Sequence, residues 1–414
     1  MICIARRVAG EGIRRPTDRR YHNLVGIHRT TDRRPVVIAG AGPAGSSLAI
    51  RLASAGLPVV LVEKETFPRD KLCGEFISPE CLTHFAELDV LEPMLAAGGD
   101  RIDATFFYSM SGRSVAVPSE VFGGAALSLS RAAMDSILLD GARQAGADVV
   151  EGASIRGIEI DGGEIREVAI DAANVSRRVE PRLLVDATGR ARALVKLAAR
   201  AFGSRLDNSR PPERIVGLKC HLRGAAVPRG ACEIYSFPGG YSGLSNVEGS
   251  AANHCMLIRA EAVRRCGEND ALVSEIVMQN PRAAETLGPA VRAGEWLAVA
   301  VPSFGSVERA PLGKLLTVGD AAAFIDPFTG SGMLLALESS ALLAECIAGC
   351  RERSFAAIAG SYEASSRARF RRRLLVSSIL RRAAFMPRAA ETLVRALSLS
   401  SAARSGLARL TRAP

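Results

Sequence analysis

Three glycines, in the run Gly40-Ala-Gly42-Pro-Ala-Gly45, follow the apolar stretch Val36–Ala39 and open a helical stretch over Ala44–Ala55. Gly56 stops that helix, and a second apolar run, Val59–Val62, follows. A helical crossover between two buried strands forces them parallel, so the segment predicts a βαβ unit and a parallel sheet. Each glycine has a physical task. Gly40 permits a tight turn, Gly42 lets a pyrophosphate approach the backbone, and Gly45 allows the helix to pack closely on the strand. Phosphates would then sit at the helix N-terminus, beside Pro43 and Ala44, where free N–H groups and the helix dipole favour anions. Glu63, with Lys64 next to it, follows the second strand and is placed to accept hydrogen bonds from ribose hydroxyls. Strand, turn, helix and acid in register point to a dinucleotide site; the blander alternative is a glycine-rich turn in an unrelated α/β fold.

The rest of the chain sets limits on that site. At 414 residues, 48% apolar and 23% charged, it is long enough for two or three cores and reads as globular. Nine cysteines with no C-x-x-C pair fit a reducing cytoplasm better than a disulfide scaffold. None of the five histidines (22, 28, 84, 221, 254) has ligand spacing, so no metal is expected. The apolar stretch Met333–Ile347 is interrupted by Glu338 and Glu345 and falls short of the roughly 20 residues a membrane span needs. No apolar core follows Arg6 and Arg7, so no secretory signal is expected. The net charge of +10 divides into +6 over residues 1–34, +11 over 364–414 and −7 between them. This arginine excess avoids every motif that carries chemistry, so no nucleic-acid partner is expected.

Helical spacing over Ser130–Ala145 places Ala133, Ile137, Leu138 and Ala142 on one face, and Gly146 ends the helix. Ser154–Ile160 and Ile165–Ile170 alternate as strands around Asp161-Gly162-Gly163, a hairpin signal. Leu183–Val185 and Leu315–Val318 read as buried strands, and a helix begins near Gly332. Residues 213–258 predict an antiparallel sheet that forms one wall of a pocket.

The segment from Leu316 to Met333, with Gly319-Asp320, Asp326-Pro327, Gly330 and Gly332, resembles the second FAD fingerprint of the para-hydroxybenzoate hydroxylase-like flavoproteins. The resemblance implies that Asp320 binds the ribityl chain of FAD. It also implies that the turn and helix start from Pro327 through Gly330, Gly332 and Met333 flank the flavin ring, with N–H groups that stabilise negative charge on the reduced ring. Phe67-Pro-Arg-Asp-Lys71-Leu-Cys73-Gly74-Glu75 looks like the motif of the geranylgeranyl reductase subgroup, which brings Lys71 and Gly74 to the cofactor. Ser130-Arg131 with Asp135 and Leu138 resembles the family helix whose arginine, here Arg131, contacts FAD. The resemblance covers roughly residues 35–200 and 306–345.

It implies an α/β fold with a Rossmann-type FAD-binding domain over 35–104, 124–200 and 306–363, and an inserted, mainly antiparallel β substrate domain over 105–123 and 201–305. Outside these lie a basic, disordered leader over 1–34, or a misplaced start site, and a basic amphipathic helical tail over 364–414. The family's aromatic hydroxylases carry an aspartate where this chain has Thr188, so the electron donor is either NAD(P)H or a partner reductase protein. The run Glu233–Tyr241 is similar to a prenyl reductase hallmark but lacks its tryptophan. The sole tryptophan, Trp296, excludes the paired-tryptophan motif of flavin halogenases.

Single residues leave alternatives open. Cys73 is either a catalytic or gating thiol or a small packing residue. Glu75 is a proton source or a loop-stabilising carboxylate, and the second is favoured. Cys346 and Cys350 read as core residues; His221 and His254 either line the pocket or pack elsewhere. In the tail, Ala390, Leu393, Val394 and Leu397 share one face, with Arg388 and Arg395 opposite. That helix either lies on an anionic membrane surface or docks on the FAD domain. The sequence therefore predicts a cytoplasmic FAD-dependent oxidoreductase, free or peripheral to the inner face of the membrane, acting on a small lipophilic substrate. The reaction is prenyl-type double-bond reduction or hydroxylation of a phenolic or polyketide-like compound. The alternative is a non-catalytic FAD-binding or membrane-associated adaptor.

Overall fold

The computed structural model describes residues 33–172, 175–204, 214–301, 304–306, 313–349 and 354–412. Residues 1–32 of the leader, and Cys350, lie outside these residues. The glycine run forms the predicted unit: β1 (Val36–Ala39), α1 (Pro43–Ser54) and β2 (Val59–Val62). Along the chain follow β3 (Ala104–Tyr108), β4 (Ser114–Pro118), α2 (Arg131–Gln144), β5 (Asp148–Val150) and β6 (Leu183–Asp186). Next are β7 (Ile215–Arg223), β8 (Ala231–Phe237), β9 (Gly240–Asn246), β10 (Ala252–Arg259), β11 (Leu297–Ala300) and β12 (Leu315–Thr317). Four helices complete the frame: α3 (Gly332–Gly349), α4 (Phe355–Ala384), α5 (Pro387–Ser398) and α6 (Ser401–Leu410).

The smaller sheet is all parallel, in the order β12-β6-β1-β2-β5. β1 and β2 are apolar at every position because both faces of the sheet are covered, and β6 is apolar up to the buried Asp186 at its end. Val36, Ile38 and Leu61 pack against α1, α2 and α3; Val37, Val60 and Val62 pack against the 153–172 hairpin and the helix Ala193–Ala201. The hairpin turns at Gly162 and Gly163 and carries a third strand, Val175–Val179, which the sequence pattern did not show. Ser130 caps α2 by accepting from the Ala133 N–H at 3.1 Å, and Gly146, at φ +96°, ends the helix.

The larger sheet is mixed. β7, β10, β9 and β8 pair antiparallel, as the 213–258 pattern predicts, while β3 joins β8 in parallel and carries β4 outward. Residues alternate between its two faces. Tyr235, Phe237, Leu218 and Ile258 meet a helical layer that includes Leu272 and Leu287, whereas Ile234, Tyr241 and Leu257 face the parallel sheet. The expected tail boundary at residue 364 falls inside α4, which runs unbroken for 30 residues with neither a proline nor an interior glycine beyond Gly360 to end it. α4 packs along α3, and α5 then crosses β4 and β8.

Candidate functional site

A continuous cavity of about 980 Å³ opens between the C-terminal ends of the parallel strands and the inner face of the larger sheet. Its narrow end is made of main chain. Gly40 has φ +100°, and a Cβ there would lie 2.5 Å from the Ala187 carbonyl oxygen. A Cβ on Gly45 would sit 1.8 Å from the Gly40 carbonyl oxygen, so Gly45 lies behind the turn and holds α1 against it. At Gly42 a Cβ would meet nothing nearer than an Arg131 nitrogen at 3.7 Å, so the backbone there faces open space. Gly40, Gly42, Pro43 and Ala44 line the cavity, as do Glu63 and Lys64. The buried Glu63 carboxylate accepts from the Ala41 N–H at 2.7 Å and the Glu65 N–H at 3.1 Å.

Positive charge gathers around this end. The buried Asp135 takes both Arg131 (2.8 and 2.7 Å) and Arg69 (2.8 Å), one carboxylate for two guanidiniums. Lys71 lines the same wall, and its pKa is lowered by burial and then by the charges of Arg69, Arg131 and Lys64. Asp320 faces this cluster and accepts no hydrogen bond from the described residues. Its pKa is raised by burial, against the opposing charges of Arg190, Arg131 and Lys71. An anion beside Gly42 and hydroxyl donors at Asp320 would complete both groups, and a dinucleotide supplies both.

The Pro327–Gly330 turn is fixed from three sides. Asp326 accepts from the Phe328 N–H at 2.9 Å and the Tyr241 hydroxyl at 3.1 Å, and pairs with Arg381 of α4 at 2.9 Å. Gly330, at φ +61°, leaves room for Phe76, whose ring would lie 3.0 Å from a Cβ there. Arg412, just beyond α6, donates to the Thr329 carbonyl at 3.0 Å and to Ser331, pairs with Glu80 at 3.1 Å and lies over Phe122. Pro327, Gly330, Gly332 and Met333 all line the cavity.

Cys73, Gly74 and Glu75 form the adjoining wall. Glu75 is fully buried at φ +54° and accepts from the Arg131 N–H at 2.8 Å and Lys219 Nζ at 2.5 Å. His221 Nε2 lies 2.8 Å from its second oxygen. Burial alone would raise the Glu75 pKa, but the His221 hydrogen bond and the Lys219 charge hold it below the ordinary carboxylate range. The carboxylate thus stabilises the loop and bridges two titratable side chains. Cys73 accepts the Glu75 N–H through sulfur at 3.4 Å. Thr188 lines the cavity, yet its hydroxyl is engaged: it donates to Asp186 at 2.6 Å and accepts the Ala193 N–H at 2.8 Å.

The far end is apolar. Phe107, Phe328 and Tyr241 form a cluster there, with centroid separations of 5.6 Å (Phe107 to Phe328) and 5.0 Å (Tyr241 edge-on to Phe328). Ala390, Leu393, Val394 and Leu397 of α5 and Leu407 of α6 close this end, so the apolar face of the tail is turned into the molecule. His221 and His254 do not line the cavity. His254 is fully buried behind the larger sheet, edge-on to Trp296 at 6.1 Å, with no partner for either ring nitrogen. Cys346 is half-buried beside the α1–α3 core. Among the described residues no three His, Cys, Asp or Glu side chains form a group that could hold a metal ion.

Sequence reasoning missed Lys219, a buried lysine in the apolar strand Val216-Gly-Leu-Lys219-Cys-His221. A lone cation in an otherwise apolar alternation was the available signal. The aromatic cluster and the inward face of α5 left no pattern that named their neighbours.

Comparison with known proteins places these features in context. The FAD binding domain family model matches residues 33–375. The digeranylgeranylglycerophospholipid reductase of Methanosarcina mazei is 27% identical over 328 residues, covering 76% of this chain and 75% of that protein. Among solved structures, a geranylgeranyl bacteriochlorophyll reductase-like protein from Thermoplasma acidophilum superposes with a TM-score of 0.74 at 22% identity, over 91% of this chain and 96% of that one. A flavin-dependent brominase superposes with a TM-score of 0.76 at 20% identity, over 91% and 93%. At these identities the two superpositions establish the α/β fold.

Proposed function

Because the chain belongs to the FAD binding domain family, we propose that it is an FAD-dependent oxidoreductase that passes electrons to a lipophilic substrate held between the larger sheet and helices α5 and α6. The observation that carries this reading is the continuity of the cavity. One space runs from the glycine turn to the aromatic cluster, and its far wall is made of apolar side chains. The parallel sheet with its glycine turn serves as a Rossmann-type FAD domain in this reading, and the larger sheet as the substrate domain inserted in it.

The residues at the narrow end fit FAD. Gly40, Gly42, Pro43 and Ala44 would face the pyrophosphate, with Arg131 and Lys71 supplying positive charge, and Glu63 would sit beside the adenosine ribose. Asp320 would take the ribityl hydroxyls, and the turn from Pro327 to Met333 would carry the ring. Reduced FAD supplies an electron pair when bound; the protein supplies position, a proton and exclusion of water. Phe107, Phe328 and Tyr241 would orient the substrate by ring contact, and Leu393 and Leu397 would keep water from its tail. Glu75 lines the cavity while the His221 side chain remains 23% exposed, so the pair links cavity to solvent and can hold a proton between imidazole and carboxylate. Cys73 would gate the approach to this pair.

We favour reduction of a carbon–carbon double bond, because such a reaction needs a proton at the site and Glu75 with His221 supplies a route for one. Hydroxylation is the second reading, favoured by the aromatic cluster, which suits a phenolic ring. The test is turnover of prenyl lipids and long-chain phenols by the FAD-loaded protein, with and without oxygen, against short water-soluble analogues. Preference for the long chains is expected. Anaerobic turnover selects reduction and substrate-coupled oxygen uptake selects hydroxylation; equal rates on the short analogues overturn the lipophilic reading. Thr188 is bound into the Asp186 cap, so NAD(P)H would reduce the flavin only by another approach. Flavin bleaching on addition of NADPH would identify that direct route, and its absence with dithionite still effective would identify a partner reductase.

A further inference from the structure

α4 has two unlike sides. Its inner side buries Tyr362, Phe370, Arg373, Ser377, Leu380 and Arg381 against α3 and the Asp326 turn. Its outer side exposes Arg371, Leu375, Ile379 and Arg382, followed by Met386 just past the helix end. Steps of four, four, three and four residues keep these groups in one row along the axis, about 22 Å long at the helical rise. Leu375 is 62% exposed, Ile379 58% and Met386 51%, values far from those of residues that belong to a core. Arg372 flanks the row. No acidic residue occurs from 367 to 386, and among the described residues Arg371, Arg372 and Arg382 make no ion pair. The apolar face that the sequence offered for a surface contact, on α5, is consumed by the cavity; this row is not.

We propose that the outer face of α4 docks on the surface of an anionic lipid bilayer. Leu375, Ile379 and Met386 would enter the boundary between headgroups and acyl chains while the interleaved arginines lie among lipid phosphates. A soluble helix gains nothing from three large apolar side chains held in water, and a bilayer interface is the partner that takes both these and the uncompensated cations. A second copy of the chain is disfavoured as the occupant, because the row would face its own positive charge. Duplex nucleic acid would take the arginines but not the leucine and isoleucine between them. The docking surface is separate from the cavity and stands whether or not the substrate is lipophilic.

The experiment is flotation of the FAD-loaded full chain with vesicles of phosphatidylcholine alone and of phosphatidylcholine mixed with phosphatidylglycerol. The protein is expected to float with the mixed vesicles and stay behind with the neutral ones. Leu375→Ser combined with Ile379→Ser, and separately Arg371→Gln with Arg372→Gln and Arg382→Gln, should each lower the bound fraction about tenfold, since each removes one of the two contributions. Flavin content and Tm should be unchanged in both variants, because all five side chains are exposed. Absence of flotation, flotation that survives the Leu375→Ser, Ile379→Ser change, or preferential binding to duplex DNA would overturn the proposal.

Discussion

The two ends of the cavity are built from different parts of the chain. The glycine end is main chain: its shape depends on where a Cβ is missing, and Gly40, Gly42 and Gly45 act within six consecutive residues. The aromatic end is side chain: Phe107, Tyr241, Phe328 and Leu393 come from four separate elements. A main-chain site tolerates almost no added atom, whereas a side-chain site can be reshaped one residue at a time. The contrast suits a fold that is shared by proteins as unlike as a lipid reductase and a brominase.

The contrast can be broken most severely at Gly45. Gly45→Val would drive a side chain into the Gly40 carbonyl, and we expect a loss of more than about 4 kcal/mol and no retained flavin, read by Tm and flavin absorbance. Gly42→Ala sharpens the same point: with its nearest neighbour at 3.7 Å the fold should hold, and only FAD affinity should fall. Next in size is Lys219→Met, which leaves the buried Glu75 without its cation and should cost about 3–5 kcal/mol near neutral pH. Because the folded pKa of Glu75 is lowered, its contribution to stability is present above the unfolded value and fades as pH falls through the folded one. The Lys219→Met defect should therefore shrink on acidification, which urea titrations at several pH values would show.

His254 offers a smaller test on the far side of the larger sheet. Burial lowers its pKa from the usual 6.5 to about 4, so the unfolded chain binds the extra proton first and stability falls as pH drops from 6.5 towards 4. The drop should total about 3 kcal/mol, and His254→Leu should abolish it. The smallest effect is expected from Phe107→Leu, which trims the aromatic cluster. KM for substrate should rise about tenfold or less, with kcat and flavin content nearly unchanged. A fall in flavin content instead would show that the two ends are not separable.

Legibility followed the same division. The Gly40–Gly45 turn and the position of Glu63 could be read because their spacing is local and sterically dictated, whereas the Asp320 segment was legible only through its resemblance to a known family. The parallel sheet followed from the crossover rule, and the four strands of 213–258 from their alternation. Lys219 could not be paired with Glu75, since 144 residues separate them and nothing local marks the bond. For α5 the periodicity revealed an apolar face without saying what covers it. The row on α4 was hidden for a related reason: Leu375 and Ile379 have the spacing of a core stripe, and only the packing of the opposite side shows which stripe went inward.

The position of β12 has a consequence for how the protein is made. β12 is the last strand of the parallel sheet in sequence and pairs at the edge with β6, 275 residues separating Gly45 from Asp320. At the ribosome's pace of about 5–20 residues per second, the glycine turn waits on the order of 14–55 s for the Asp320 segment that lines the same cavity. From the synthesis of β6 to that of β12, about 6–26 s at the same pace, the apolar edge of β6 is unpaired, and a nascent chain stalled before residue 315 would present it to other strands. Supplying flavin during synthesis could not shorten this exposure, because the turn that would carry the ring has not yet been made.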